Sequence, residues 1–297
     1  MNFSQLPAQI LQGIFSGSIY ALFALGYTLI FGVLDILNLA HAAIFMMAAI
    51  VAWWLVSVAG WSLLIAFPLA VLLAGALGVL LDRVAFYRLR QRRAPHLSAL
   101  ISSIGMGLIF VGLARLLFQP DRKQFPREAF PQVYYDIGNV RIRLLDVVVL
   151  FVSLLLMLGL TWLVRNTMMG KTMRAVAENP RAAALLGVNI ERVIMQTFFL
   201  ASALGGAAGV LYGMSLNSIE PTMGNQVELK GLAIIILGGM GSIPGAVLAG
   251  FLIGLVESLS VVFRLSQVKD ALVFAALFLV LLLRPQGIFG RGVGRVG

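Results

Sequence analysis

Long apolar stretches recur along this chain, and each is close to the roughly 20 residues that a helix needs to span a lipid bilayer. They fall near residues 9–32, 38–58, 62–82, 97–118, 146–164 and 193–213, and a final, shorter apolar stretch lies near 270–283. Hydrophobic residues make up 60% of the 297 residues and charged residues only 11%, which leaves too few polar groups to cover a soluble core. The sequence therefore predicts an all-α, polytopic integral membrane protein with a single transmembrane domain over residues 1–297.

One apolar region, residues 229–263, is interrupted in its middle by helix-breaking residues. We expect it to form two segments joined by a hinge-like bend, with the first too short to cross the bilayer fully. Two crossings here give about nine membrane segments and an external N-terminus, whereas a single crossing gives eight. The interrupting residues are Gly238, Gly239, Gly241, Pro244 and Gly245.

Basic residues predict the orientation of the segments, because cytoplasmic loops are enriched in Lys and Arg. The segments Arg83–Arg93 and Arg165–Arg192 each hold five basic residues, and the tail from Arg284 holds three. We assign these three to the cytoplasm, although Pro120–Asp146 on the opposite side also holds five basic residues together with acidic ones. The formal net charge of +10 lies in such short islands between apolar runs, so the sequence does not indicate nucleic-acid binding.

Small residues at helical spacing predict close helix packing inside the membrane. Gly205, Gly209 and Gly213 recur every four residues, and similar pairs occur near both ends of the chain. Packing is the interpretation that we favour, and a gating role is the alternative. The further pairs are Gly13 with Gly17 and Gly250 with Gly254.

Catalytic and cofactor motifs are absent from the sequence. Cysteine does not occur and there are two histidines, which argues against a metal site. The Gly170-Lys171-Thr172 tripeptide is not a phosphate-binding loop, because Arg165 stands where that motif needs a glycine. No HExxH or GxSxG motif is present. We therefore expect no cofactor and no enzymatic activity in this chain.

Polar residues within apolar runs are candidates for a translocation pathway, because they are costly to bury in a membrane. Asp35, Asn38 and His41 are spaced three apart, which predicts one polar helical face where the second segment begins. Their alternative role is to satisfy unwound backbone or a neighbouring helix. Glu257 is a fourth candidate, for which we favour an interhelical partner. Four further polar residues are assigned to an external loop: Asn217, Glu220, Glu228 and Lys230.

The segment 166–192 contains the signals of a short capped helix over residues 180–186. Asn179 is a favourable N-cap, Pro180 suits the first helical position, and Gly187 can adopt the left-handed conformation that ends a helix. Two turns are too short to be stable alone, so the helix must be stabilised by docking. Its apolar side consists of Ala182, Leu185 and Leu186, with Glu178 and Arg181 adding charge.

Three separated motifs resemble LivH-type permeases of branched-chain amino acid importers. RAVAENPRAAALLGVN resembles the coupling loop of ATP-binding cassette permeases, GSIYALFALGYTLIFGVLDILNLAH the N-terminal signature and ILGGMGSIPGAVLAGFLIGLVES the C-terminal signature. They occur in the expected order and cover nearly the whole chain. Ala42 departs from the family pattern, in which glycine is commoner at that position.

The resemblance implies a bacterial inner-membrane, multi-pass subunit of a type II ABC importer. Its partners would be membrane lipid, a second related permease, two cytoplasmic ATPases that bind ATP and Mg²⁺, and a periplasmic substrate-binding protein. The implied coupling helix covers Glu178–Gly187, with Ala182, Ala183 and Gly187 at its core. The implied cargo is leucine, isoleucine, valine or a similar amino acid. Urea or short amides are an alternative, as is an ion-coupled transporter that uses Asp35, His41 and Glu257 as a relay.

Overall fold

The computed structural model describes residues 5–92, 94–137 and 140–290, and these fold almost entirely as helices. The exception is a two-stranded antiparallel hairpin in the segment that precedes the sixth helix. The helices are α1 Leu6–Leu34, α2 His41–Ser57, α3 Leu63–Leu81, α4 Tyr87–Gln91, α5 His96–Phe118, α6 Leu144–Asn166, α7 Met168–Glu178, α8 Pro180–Leu185, α9 Ile190–Leu216, α10 Met223–Gly238, α11 Ile243–Val262 and α12 Lys269–Leu283, and the strands are β1 Tyr134–Ile137 and β2 Val140–Arg143.

Seven helical stretches of the described residues are long and apolar enough to cross a membrane. They are formed by α1, α3 continued through α4, α5, α6, α9, α11 and α12 with the short turn before it. Helices α2 and α10 have 17 and 16 residues, so each is only about 25 Å long at 1.5 Å per residue. Neither of these two helices is among the seven candidate spans of the described residues, so the choice between eight and nine membrane segments stays a prediction.

The predicted bend in residues 229–263 is present between α10 and α11. Helix α10 ends at Gly238, and Gly239 and Gly241 both have positive φ angles in the turn that follows. Pro244 lies in the first turn of α11, and the Ser242 side chain accepts a hydrogen bond from the Gly245 N–H at 3.3 Å. Helix α10 nevertheless begins at Met223, earlier than predicted, which places Glu228 and Lys230 inside a helix and not in a loop.

Glycine-lined contacts hold the centre of the bundle together. Helix α1 runs antiparallel to α11, and a methyl group added at Gly13 or Gly17 would lie 2.9 Å from the Cα atom of Leu255 or Phe251, respectively. Helix α2 instead runs parallel to α9, since His41, Phe45 and Ala49 face Gly205, Gly209 and Gly213 in that order. These contacts support the packing interpretation of the regularly spaced glycines.

Replacing Gly209 by alanine is expected to destabilise the bundle, because the new methyl group would overlap the carbonyl oxygen of Phe45 in α2. The expected loss is about 1–3 kcal/mol of stability, the usual cost of overpacking. Gly159→Ala in α6 is the matched control, since nothing lies within 4 Å of the added methyl group there. Thermal unfolding of the purified chain in detergent measures the difference, and equal midpoints for both variants would contradict the packing assignment.

Two of the long helices, α1 and α9, end in the same way. Helix α1 ends at Leu34 and α9 ends at Leu216, and the residues that follow them, Asp35 and Asn217, are both left-handed, with φ angles of 54° and 46°. After each break a short helix begins inside the protein: the ring of His41 in α2 lies against Phe23, near the middle of α1, and a methyl group at Gly224 of α10 would overlap the carbonyl of Ala42. The starts of α2 and α10 therefore meet within the bundle.

The two sides of the membrane carry different structures. We call the side with α4, α7 and α8 the inner side, which the positive-inside rule assigns to the cytoplasm. On the opposite, outer side the hairpin pairs Tyr134 with Arg143, and the indole N–H of Trp53 donates to the carbonyl of Gln124 at 2.9 Å. The sequence did not predict this hairpin. Of the basic residues used for orientation, Arg93, Arg291 and Arg295 lie outside the described residues.

Candidate functional site

The segment 166–192 on the inner side folds as two consecutive helices. Helix α7 starts after Thr167, whose side-chain oxygen accepts from the Gly170 N–H at 3.2 Å. Its apolar face buries Met173 and Val176 against the bundle, and α7 contacts α1, α6 and α9. This helix was not predicted, and it attaches the following short helix firmly to the membrane domain.

Helix α8 follows at once and has the caps that its sequence indicates. The Asn179 side-chain oxygen accepts from the Ala182 N–H at 3.0 Å, and Pro180 occupies the first position. Gly187 has a φ of 83°, and the N–H of Val188 donates to the Ala183 carbonyl at 3.1 Å. The helix ends at Leu185, one residue earlier than expected. Both ends of this two-turn helix are thus fixed by local hydrogen bonds.

The outward face of α8 is apolar and exposed. Leu185 and Leu186 are 90% and 84% exposed, whereas Ala183 is only 2% exposed and holds the helix against its neighbours. Ala182 and the flanking Glu178 are also exposed. Two fully exposed leucines beside charged residues on a rigid helix are typical of a protein-binding surface. We call Ala182, Leu185 and Leu186 the docking face.

Gly187→Val is expected to disturb α8, because a β-branched residue in the left-handed conformation costs about 1–2 kcal/mol. No heavy atom lies within 4 Å of an added methyl group, so this cost is conformational and not steric. Gly187→Asn is the control, because asparagine tolerates this conformation. Transport by the assembled system should fall in the valine variant and remain near normal in the asparagine variant, and equal transport by both would refute the role of the cap.

An ion cluster links the inner end of α3 to the start of α9. Arg90 pairs with the buried Asp82, and its second amino group lies 3.0 Å from Glu191. Glu191 is in the first turn of α9, directly after α8. The segment from Arg83, which the sequence placed in a loop, is in fact a helical continuation of α3 through a π-helical turn into α4. The cluster joins this extension of α3 to α9, the helix that follows α8.

The polar face predicted at the second segment does not form. Residues 35–40 are not helical, so Asp35, Asn38 and His41 cannot share a helical face. Asp35 is exposed at the end of α1, whereas Asn38 and His41 are buried. The Asn38 side-chain oxygen accepts from the Ala40 N–H at 3.2 Å, which satisfies part of the unwound backbone.

The contacts of His41 are those of a buried packing residue. Its Nε2 lies 3.3 Å from the Phe23 carbonyl oxygen, and its ring is 4.8 Å from the ring of Tyr27. The imidazole fills a slot between Gly26 of α1 and Gly205 of α9, where a methyl group on either would approach it to 2.5 Å. His41 therefore joins three helices at the point where α2 begins.

Glu257 lies in a charged cluster between α1, α10, α11 and α12. Its carboxylate is 2.8 Å from the ammonium of Lys230 and 2.7 Å from that of Lys269, and it accepts a hydrogen bond from the Tyr20 hydroxyl at 2.8 Å. Asp270 is 3.5 Å from Lys230. Lys230, which the sequence placed in a loop, is buried. These contacts give Glu257 interhelical partners, the role that we favoured for it.

A groove between α2, α5 and α10 contains the polar group that sequence reasoning missed. Its cavity volume is about 330 Å³, and apolar side chains of the three helices form most of its wall. Glu228 and Asn225, one turn apart on α10, contribute its polar groups. The placement of Glu228 in an external loop was wrong because α10 begins six residues earlier than the apolar run suggests. Pro221, just before α10, is the signal that could have located this start.

Comparison with known proteins gives matches over almost the whole chain. Residues 9–282 match the family described as "Branched-chain amino acid transport system / permease component". The high-affinity branched-chain amino acid transport system permease protein LivH of Escherichia coli (strain K12) is 35% identical over 300 residues, covering 95% of each chain. The corresponding protein BraD of Pseudomonas aeruginosa is 34% identical over 295 residues, again covering 95% of each chain. A probable LivH of Methanocaldococcus jannaschii is 28% identical over 293 residues. No solved structure matches the chain.

Proposed function

The chain belongs to the family of branched-chain amino acid transport system permease components, and from this we propose that it forms the membrane pathway of an ATP-driven importer of branched-chain amino acids. As a permease of this family it is a multi-pass protein of the bacterial inner membrane. It is a transport subunit and not an enzyme, and ATP chemistry belongs to separate ATPase subunits.

The docking face of α8 is the observation that carries this proposal. Leu185 and Leu186 are exposed on a helix that is fixed at both ends and attached to the bundle through α7 and α9. A movement applied to α8 would therefore reach α9, and through the cluster of Arg90, Asp82 and Glu191 also α3. We propose that a cytoplasmic ATPase receives this face and that α8 is the coupling helix.

The remaining partners follow from the same proposal. Two ATPases need two coupling helices, and this chain supplies one, so a second related permease would supply the other. A periplasmic binding protein would deliver the cargo at the outer side, where the hairpin and residues 119–133 lie. The pathway would then run between the two permeases, with the groove of α2, α5 and α10 on its wall.

Reconstituted transport tests the proposed cargo. The chain, a partner permease, two ATPases and the binding protein from the same gene cluster are placed in proteoliposomes with ATP, and uptake of labelled leucine, isoleucine, valine and urea is measured. We expect uptake of the three amino acids and little uptake of urea. Uptake of urea or short amides in preference to the amino acids would contradict the cargo while leaving the permease role intact.

A further inference from the structure

The groove between α2, α5 and α10 has the composition of a site for a small amphipathic molecule. Leu39 before α2, Met46 of α2, Leu108 of α5 and Leu232 of α10 form apolar walls around a volume of about 330 Å³. Small-molecule sites of this kind combine a mostly apolar lining with a few polar groups that fix orientation. Here Asn225 and Glu228 supply those polar groups from one face of α10.

Glu228 differs from the other buried and partly buried carboxylates in the helices that the structure describes. Glu257, Asp82 and Asp146 each have a basic partner, in Lys230, Arg90 and Arg143. Within the described part of the chain Glu228 has no hydrogen bond or ion pair, although it is partly buried and lines a mostly apolar groove. Carboxylates at such depth are costly, and they usually mark sites that bind or conduct a solute.

We propose that Glu228 receives the ammonium group of the amino acid in transit, and that the groove is a transient substrate site of the pathway. This proposal rests on the proposed function, because it assumes an amino acid cargo. The Asn225 amide would donate to the substrate carboxylate, and the apolar wall around Leu108 and Leu232 would contact the branched side chain. The ammonium group of the substrate would be the charged partner that Glu228 lacks within the described residues.

The same geometry would make the groove bind amino acids in preference to neutral amides. Urea and short amides carry no positive charge, so they cannot compensate the Glu228 carboxylate when water is removed from it. An unpaired charge in a low-dielectric groove opposes occupancy by a neutral solute. The groove therefore favours a solute that bears both an ammonium group and an apolar side chain.

Neutralising the carboxylate tests the site in the complete transporter. Glu228→Gln is expected to lower leucine uptake into proteoliposomes at least tenfold, while the complex assembles normally and its thermal stability is unchanged. Glu228→Asp should recover part of the uptake because it keeps the charge. Gln226→Ala, at an exposed position of the same helix that does not line the groove, should leave uptake at the wild-type level. Wild-type uptake in Glu228→Gln would overturn the proposal.

A thiol reporter tests occupancy directly, and the chain helps because it contains no cysteine. Leu108→Cys places a thiol on the groove wall, and its reaction with a methanethiosulfonate reagent is followed by mass spectrometry of this chain. Millimolar L-leucine should slow the reaction at least threefold, urea should not, and Leu108→Cys combined with Glu228→Gln should show no protection.

Three outcomes would overturn the site: no protection by leucine, equal protection in the Glu228→Gln background, or a thiol blocked with and without leucine, which would show that the second permease fills the groove. Failure of the proposed function has a different signature, because the wild-type transporter would then not accumulate leucine at all.

Discussion

Leu186→Asp is expected to reduce ATP-driven uptake by about 10- to 100-fold, because burying a leucine in a partner groove contributes about 1.5–3 kcal/mol and each 1.4 kcal/mol is a factor of ten. The side chain is almost fully exposed in the isolated chain, so the change removes no contact within the described bundle. The subunit should therefore reach the membrane at normal levels and unfold at the same temperature. Uptake in proteoliposomes and ATPase stimulation by the loaded binding protein provide the two measurements.

A volume-conserving change at the same position is the control for this prediction. Leu186→Met keeps an apolar side chain of similar size, and such swaps usually cost less than about 1.5 kcal/mol. The methionine variant should keep most of its uptake. If the aspartate and methionine variants transport equally well, the exposed face of α8 does not dock to the motor.

Glu257→Leu is expected to destabilise the chain by about 3 kcal/mol, because removing one member of a buried ion pair leaves the other charge uncompensated. The buried Lys230 would keep only the Tyr20 hydroxyl at 3.3 Å and Asp270 at 3.5 Å. Lys230→Met should cost less, since Glu257 retains Lys269 and Tyr20. The double variant Lys230→Met with Glu257→Leu should recover much of the loss, because it leaves no deeply buried charge of this pair.

Thermal unfolding of the purified variants measures this order of stabilities. Asp136→Asn is the surface control: it breaks the exposed pair with Arg141, and such pairs contribute about 0–1 kcal/mol. Its unfolding temperature should remain close to that of the wild type. If Glu257→Leu is no more harmful than Asp136→Asn, the cluster does not hold α10, α11 and α12 together.

Local signals in the sequence predicted the short helix α8 and its caps well. The caps of α8 depend on Asn179, Pro180 and Gly187 themselves, and each acts through hydrogen bonds or backbone angles within a few residues. The bend after Gly238 was predictable for the same reason. The glycine spacings also predicted close helix contacts, because a missing side chain has the same consequence whichever helix packs against it.

Features that depend on tertiary contacts were not predictable in this way. Nothing near Lys230 in the sequence shows that Glu257, 27 residues away, lies beside it, so its burial in α10 was missed. The same holds for Glu228, because α2 and α5 complete the groove that it lines. Asp35, Asn38 and His41 have helical spacing, but the left-handed Asp35 ends α1, and the chain turns back into the bundle before α2 begins.

The arrangement of charges also bears on the ion-coupled alternative. A relay would need its members to line one route, whereas Asp35 is exposed at the inner end of α1, His41 is enclosed between α1 and α9, and Glu257 is held by two lysines. These residues lie apart and have structural contacts of their own. The geometry therefore does not favour an ion relay made of these three residues.

The central claim is that ATP hydrolysis by separate subunits drives transport through this chain. Transport by reconstituted components tests it most directly. Labelled leucine uptake is followed in proteoliposomes that hold this chain and a partner permease, with the ATPases, the binding protein and ATP each added or omitted, and with proton or sodium gradients imposed separately. We predict uptake only when all of the components and hydrolysable ATP are present. Leucine accumulation by this chain alone, driven by an ion gradient, would contradict the account.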